Sequence, residues 1–226
     1  MTAQMKRIIK KTADGSHTLH VSDLDETYHS LHGAIKESQH VFVKEGLLYL
    51  NKPHTEILEI GFGTGLNAAL TLIEAEKREI SIVYHCIELY PLKPEEYNRL
   101  NYFDNESLYE PVFKRLHESQ WNRTELISKN FAFSKYRVDL LSHSFTEQYD
   151  LVYFDAFSPR AQPEMWTSEV FDKMHKAMKK NGVLVTYCAS GKVRRNMEGT
   201  GLKVEKIAGP PGKREMIRAT KTDGSW

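Results

Sequence analysis

The sequence predicts a mostly parallel, doubly wound α/β sheet with a late antiparallel strand, preceded by a small N-terminal β-ribbon and helix. Three observations predict it. Apolar runs at 56–60, 80–88 and 149–155 end in a glycine loop or a carboxylate, the pattern of buried parallel strands whose carboxyl ends line a crevice. Segments of helical periodicity alternate with these runs. The chain closes on Gly209-Pro210-Pro211-Gly212 and the alternating stretch Lys213 to Ala219, a hairpin signal.

A chain of 226 residues accommodates one well-buried core with a small decoration. The expected division is an extension over 1–50 and a catalytic domain over 51–226. Charged residues make up 27% and the net charge is +1, so global charge neither marks a nucleic-acid binder nor excludes one. No apolar run has the length of a membrane span, and Met1 to Lys11 is basic without the apolar stretch of a signal peptide. A soluble, cytoplasmic protein is expected. Cys86 and Cys188 each fall in an apolar strand and in no metal-ligand spacing, which makes them core residues and predicts neither a zinc site nor a disulfide.

In chain order, Asp14-Gly15 sits between two short alternating runs and predicts a hairpin. Tyr28 to Phe42 carries apolar residues at 31, 34, 35, 41 and 42, near helical spacing, and predicts a helix ending before Pro53. His29, His32 and His40 lie close together, but no carboxylate completes a recognisable ligand set, so no metal is expected. Glu56 to Asn67 is the organising stretch, a buried strand turning through Gly61, Gly63 and Gly65 into a helix that runs to about Ala75. Alternate glycines let the backbone turn sharply and lie against a ligand, while the helix presents free N–H groups to it. A dinucleotide fingerprint places its third glycine one position later, where this chain has Leu66. That departure favours S-adenosylmethionine over a nicotinamide or flavin.

Ile80 to Glu88 predicts the next strand, ending 27 residues after Gly61 in a carboxylate suited to a ribose diol. A solvated strand end is the bland alternative for Glu88. Pro91 and Pro94 close the strand, and Glu95 to Leu100 begins a helix. Asn105 to Asn122, with Tyr109, Phe113 and Trp121, predicts a loop plus helix against the sheet. Phe131 to Asp139 supplies a strand or pair of strands whose last residue either accepts from an adenine amino group or serves as a turn acid. Tyr149 to Asp155 places Asp155 on the same crevice as the glycine loop, followed by Phe157 and Pro159 to fix the loop. Pro163 to Lys180 predicts an amphipathic helix ended by Asn181-Gly182, then a strand from Val183 to Cys188 and a helix from Ser190 to Glu198. From Lys192 to Lys221 there are nine Lys or Arg against three Glu, a phosphate-facing surface or a solvated one.

Four motifs in order, Gly61 to Asn67, Asp155 to Pro159 with Pro163 to Trp166, Val193-Arg194-Arg195, and Gly212 to Met216, closely resemble the methyltransferase domain of the MnmC family and its stand-alone, MnmD-like relatives without the flavin oxidoreductase half. The likeness runs from about Tyr28 to Ala219. It implies a Rossmann-like S-adenosylmethionine-dependent methyltransferase fold, with no metal and no flavin. The activity implied is conversion of 5-aminomethyl-(2-thio)uridine to 5-methylaminomethyl-(2-thio)uridine at the tRNA wobble position. By the same resemblance Gly61, Gly63, Gly65 and Asn67 line the cofactor, Glu88 holds its ribose, Asp139 reads its adenine, and Asp155 both borders the cofactor and lies beside the reactive amine as base or orienter. Phe157 would wall the cleft with Phe62 and Tyr28. Arg194, Arg195, Lys213 and Arg214 would contact the phosphates of the anticodon arm, and a separate enzyme would supply the aminomethyl group.

Other readings keep part of this pattern. A small-amine or aminopropyl transferase on the same fold calls for a second carboxylate near Asp155, where the adjacent loop offers Ser158, Pro159 and Arg160. A non-catalytic RNA-binding protein needs only the basic C-terminal stretch and no S-adenosylmethionine. A nicotinamide oxidoreductase is disfavoured by the glycine spacing.

Overall fold

The structure, a computed structural model, describes residues 6–104 and 108–222; the first three residues of the expected 105–122 loop and the first five of the basic start lie outside them. Among the described residues eleven strands form two sheets. Strands β1 (Arg7–Lys11), β2 (His17–Val21) and β3 (Glu26–Thr27) make a small antiparallel sheet. Its first two strands are the expected hairpin, with Gly15 at φ 87° in the turn; the short third strand has too little alternating sequence to announce itself.

The large sheet has the order β10-β11-β9-β8-β4-β5-β7-β6. Its centre is parallel: β9 (Met178–Thr186), β8 (Tyr149–Phe154), β4 (His54–Ile60), β5 (Ser81–Ile87) and β7 (Phe131–Tyr136). Antiparallel strands close both edges, β6 (Thr124–Ser128) at one and β11 (Glu215–Lys221) with β10 (Leu202–Ala208) at the other. Chain order reverses between β4 and β8, so the carboxyl ends of β4, β5 and β8 open onto a switch-point crevice.

Helices cover both faces. The first face carries α1 (Ala34–Ser38) with its π-helical continuation Gln39–Leu48, α2 (Leu66–Arg78) and α4 (Glu110–Glu118). Leu19, Phe42, Leu47, Leu66, Leu72, Leu116 and Tyr153 share one core there. The N-terminal segment is therefore built into the same hydrophobic layer as α2. The second face carries α5 (Ser168–Ala177) and α6 (Gly191–Glu198), with Phe154, Trp166, Phe171, Met174 and Met197 buried together.

Three boundaries differ from expectation. The first helix starts at Ala34 because Tyr28 to Gly33 runs along the cleft, with Tyr28 N–H bonded to the Leu19 carbonyl. The turn after Pro94 is a single one, α3 (Pro94–Tyr97). The helix expected to reach Lys180 ends at Ala177: β9 begins at Met178, and its register jumps from Tyr149 opposite Met178 to Leu151 opposite Val183. Asn181 at φ 61° and Gly182, wedged against the carbonyls of Lys179 and Tyr149, form that bulge rather than a helix stop. Cys86 and Cys188 are buried and free. Among the described residues no helix is long and apolar enough to cross a membrane.

Candidate functional site

The crevice at the ends of β4, β5 and β8 holds a cavity of about 230 Å³. Its floor is the turn from β4 into α2. Gly61, Gly63 and Gly65 all have positive φ, at 89°, 51° and 74°. A Cβ on Gly61 would lie 2.7 Å from the Asp155 carbonyl oxygen, and one on Gly65 would lie 2.9 Å from both Phe62 and His117. The turn is thus fixed by steric need as well as by dihedral preference. His117 supports it from below, its Nε2 3.0 Å from the Thr64 carbonyl oxygen; burial drives its pKa down to about 3, so the ring is neutral and donates.

Glu88 follows β5 and is held by two backbone donors, Gly63 N–H to Oε2 at 2.9 Å and Tyr90 N–H to Oε1 at 2.7 Å. Each oxygen keeps a lone pair for a hydroxyl. Asp139 lines the same end of the cavity. Its Oδ1 accepts from Leu141 N–H at 2.9 Å, the bond of a turn acid. Ile87, Leu89 and Leu140 supply apolar walls nearby.

At the other end Asp155 follows β8. Its Oδ2 accepts from Asn67 Nδ2 at 2.8 Å, and the same nitrogen donates to Glu59 Oε1 at 2.9 Å. Burial pushes the Asp155 carboxyl up to about 7; the Asn67 hydrogen bond and Lys213 pull it down, and Glu37 pushes it further up. Glu59 lies fully buried in β4, and desolvation raises its pKa well above the usual carboxylate range. Among the described residues, Glu59 Oε2 and Asn67 Oδ1 are buried without a hydrogen-bond partner.

The loop after Asp155 is tied from both sides. Tyr187 OH donates to the Ala156 carbonyl at 2.9 Å, Trp166 Nε1–H to the Phe157 carbonyl at 2.7 Å, and Ser158 Oγ to Glu26. Phe157 meets Tyr28 edge-on at 4.9 Å, and Arg160 reaches Glu26 and the Asp25 carbonyl. Arg7 anchors the ribbon to the opposite rim, donating to Glu96 and to the Tyr90 carbonyl.

All seven residues expected to hold cofactor, Gly61, Gly63, Gly65, Asn67, Glu88, Asp139 and Asp155, meet here, and Phe157 lies among the wall residues; of the glycines, Gly65 sits behind the lining. The four expected phosphate contacts separate. Lys213 points into the cavity, bonded to Glu37 at 2.7 Å and 4.1 Å above the Tyr187 ring. Arg194 lies 3.5 Å from Glu198, whereas Arg195 and Arg214 are exposed and form no ion pair among the described residues. Much of the remaining local positive charge is internally matched, with Lys206 on Glu215, Arg218 on Glu45 and Glu205, and Lys221 on Glu147.

Glu26, His29, Glu37 and Glu59 line or underlie the site without having been expected there. Glu59 carried a signal, a charge inside an otherwise apolar strand. The other three come from far away in sequence, and no local pattern marks them. His29 is buried between Thr18 and Thr64, its pKa lowered by burial to about 4, and His40 bonds the Ala208 carbonyl. Among the described residues no cluster of three or more His, Cys, Asp or Glu is placed to hold a metal ion.

The cradle fits S-adenosylmethionine: a glycine turn no Cβ could share, a carboxylate with both oxygens fixed for a diol, and a second acid across apolar walls. Residues 106–222, just over half the chain, match a family described as S-adenosyl-L-methionine-dependent methyltransferase. The match covers Asp139 and Asp155 and begins after the glycine loop. The chain is similar to the tRNA 5-methylaminomethyl-2-thiouridine biosynthesis bifunctional protein MnmC of Leptospira interrogans, 29% identical over 213 residues, covering 88% of this chain and 33% of the relative. It spans about a third of the length of the curated relatives it matches. Among solved structures it is similar to MNMC2 from Aquifex aeolicus, with a TM-score of 0.80 and 26% identity over 98% of this chain and 72% of the other. Spermidine synthase from Thermotoga maritima, at 14% identity and a TM-score of 0.54 over 97% of this chain and 75% of the other, shares the fold alone.

Proposed function

Because the chain belongs to the S-adenosyl-L-methionine-dependent methyltransferases, we propose that it methylates the amino group of 5-aminomethyl-(2-thio)uridine at the wobble position of tRNA. The observation that carries the reading is Asp155, a carboxylate titrating near neutrality at the end of β8, in the same cavity as the glycine turn. Similarity to MnmC of Leptospira interrogans and to MNMC2 of Aquifex aeolicus supports the choice of substrate.

When bound, S-adenosylmethionine supplies an electrophilic methyl group, its carbon–sulfur bond breaking as the amine nitrogen bonds to carbon. Glu88 holds the ribose hydroxyls between its two fixed oxygens, and Asp139 reads the adenine. Asp155, as a carboxylate, accepts a hydrogen bond from the amine, directs its lone pair inward and takes up the proton that the nitrogen gives up. Asn67 fixes the orientation of that carboxylate. Tyr28 and Phe157 close the side of the cleft and exclude water. Covalent assistance is not required, so positioning supplies the larger part of the rate, on the order of 7–11 kcal/mol in favourable cases. The exposed Arg195 and Arg214 offer phosphate contacts to the anticodon arm, and the wobble base enters the cavity unstacked.

A small-amine transferase is favoured by one observation: Glu37 supplies the second carboxylate that such a substrate requires. Lys213 neutralises it at 2.7 Å, which leaves no net negative charge there for a second ammonium group. The experiment is methyl transfer from labelled S-adenosylmethionine into tRNA carrying 5-aminomethyluridine, read by nucleoside mass. A gain of one methyl on that nucleoside is expected; binding of S-adenosylmethionine without transfer to tRNA moves the substrate to a small amine.

A further inference from the structure

Opposite the glycine turn, the cavity wall carries a charged pair that the cofactor-binding and proton-accepting roles leave unused. Glu37, on α1, is buried to 7% exposure. Its Oε2 accepts from Ser30 N–H at 2.6 Å and its Oε1 from Lys213 Nζ at 2.7 Å. Lys213 leaves the turn before β11 and lies 4.1 Å above the Tyr187 ring. Both side chains line the cavity with Asp155, and both act on its charge in opposite senses. The Glu37 side chain is 9% exposed and that of Lys213 31%, so the pair is desolvated on the carboxylate side and open to the cleft on the ammonium side.

We propose that Lys213 and Glu37 together read the Watson–Crick edge of a uracil ring. The inference rests on the proposed substrate. Uracil presents an acceptor, O4, beside a donor, N3–H. An ammonium beside a carboxylate offers the complementary donor and acceptor, and each has capacity beyond the bond they share. Cytosine presents the reverse order, an amino donor beside an unprotonated nitrogen, and would set donor against donor and acceptor against acceptor. On the ring the 5-substituent neighbours the 4-oxo group. A base whose O4 rests on Lys213 and whose N3–H rests on Glu37 therefore carries its aminomethyl group on the side of Lys213 away from Glu37, within the cavity that Asp155 also lines. Tyr187, under the Lys213 ammonium and bonded to the Ala156 carbonyl, keeps the reader in register with the loop that presents Asp155.

The test compares anticodon stem-loop RNAs that carry 5-aminomethyluridine or 5-aminomethylcytidine at the wobble position. Full-length wild-type protein, Lys213→Gln, Glu37→Gln and Lys213→Arg are assayed for kcat/KM on each RNA, with S-adenosylmethionine affinity measured by calorimetry as the check on folding. The expected result is a preference of wild type for uracil of ~10- to 100-fold, largely lost in both glutamine variants, retained in Lys213→Arg, with cofactor affinity unchanged. A preference that survives in folded Lys213→Gln overturns the proposal. So does weaker cofactor binding in that variant, which would put Lys213 on the cofactor, or an equal loss on both RNAs with a shallower salt dependence, which would put it on a phosphate. Wild-type protein that methylates neither RNA overturns the substrate reading itself, and is distinguished by failing before any variant is compared.

Discussion

Asn67 Nδ2 donates to Asp155 Oδ2 at 2.8 Å and to Glu59 Oε1 at 2.9 Å, so a single amide group spans the proton acceptor and a buried acid beneath it. Desolvation raises the Glu59 carboxyl well above the usual carboxylate range. Burial raises that of Asp155 to about 7.

Methyl transfer should rise with pH through about 7, since below that value Asp155 is an acid and cannot accept from the amine. The pH dependence of kcat under saturating cofactor checks it. Asp155→Asn should keep S-adenosylmethionine affinity and lose at least ~100-fold in kcat; unchanged turnover removes Asp155 from the mechanism.

The same carboxyl shapes stability. Its folded-state pKa is raised from 3.8 to about 7, so between those values the folded chain keeps a proton that the unfolded chain releases. Its contribution falls as pH rises through that window, by up to ~4 kcal/mol at 1.36 kcal/mol per pH unit. Asp155→Asn should accordingly gain stability over wild type at pH 8 and not at pH 4, as read by urea unfolding. An equal difference at both pH values would mean that Asp155 is not desolvated in the folded protein.

Asn67→Ala removes the one hydrogen bond that lowers the Asp155 pKa. The acid limb of the kcat profile should move to higher pH, and stability should fall by ~1–3 kcal/mol as a buried Glu59 oxygen and a part-buried Asp155 oxygen lose their donor. An unmoved limb would show that Asn67 does not tune Asp155.

The parallel centre, the glycine turn and the acids at the ends of β5 and β8 were legible because each is local: an apolar run, then a glycine or carboxylate at its end. The cleft wall was not. Glu37 and Lys213 approach within 2.7 Å across 176 positions of sequence, and Lys213 lies in a basic stretch whose charge pattern suggests a solvent-facing surface. The bulge in β9 was missed for a related reason. Asn181-Gly182 is a common end to a helix, and only the pairing of Met178 with Tyr149 assigns those residues to a strand.

Gly61→Ala should abolish S-adenosylmethionine binding and lower stability by at least ~2 kcal/mol, because φ 89° disfavours a Cβ and the added carbon meets the Asp155 carbonyl at 2.7 Å. Gly191→Ala is the control. Its φ is not positive, its nearest neighbour is the flexible Arg195 guanidinium at 3.5 Å, and it should bind normally. Calorimetry and thermal unfolding of both variants decide the point.

Salt dependence separates the exposed cations from the paired ones. Each phosphate contact that releases counterions adds close to one unit to the slope of log affinity against log salt. Arg195 and Arg214 are exposed without an acidic partner among the described residues, whereas Arg218 is bonded to Glu45 and Glu205 and packs over Tyr49 at 3.5 Å. Arg195→Gln and Arg214→Gln should each reduce the slope for tRNA binding by ~1. Arg218→Gln should leave the slope unchanged and lower thermal stability instead, since its guanidinium is committed to the fold. A slope unaffected by Arg195→Gln and Arg214→Gln together would place the RNA on another face of the protein.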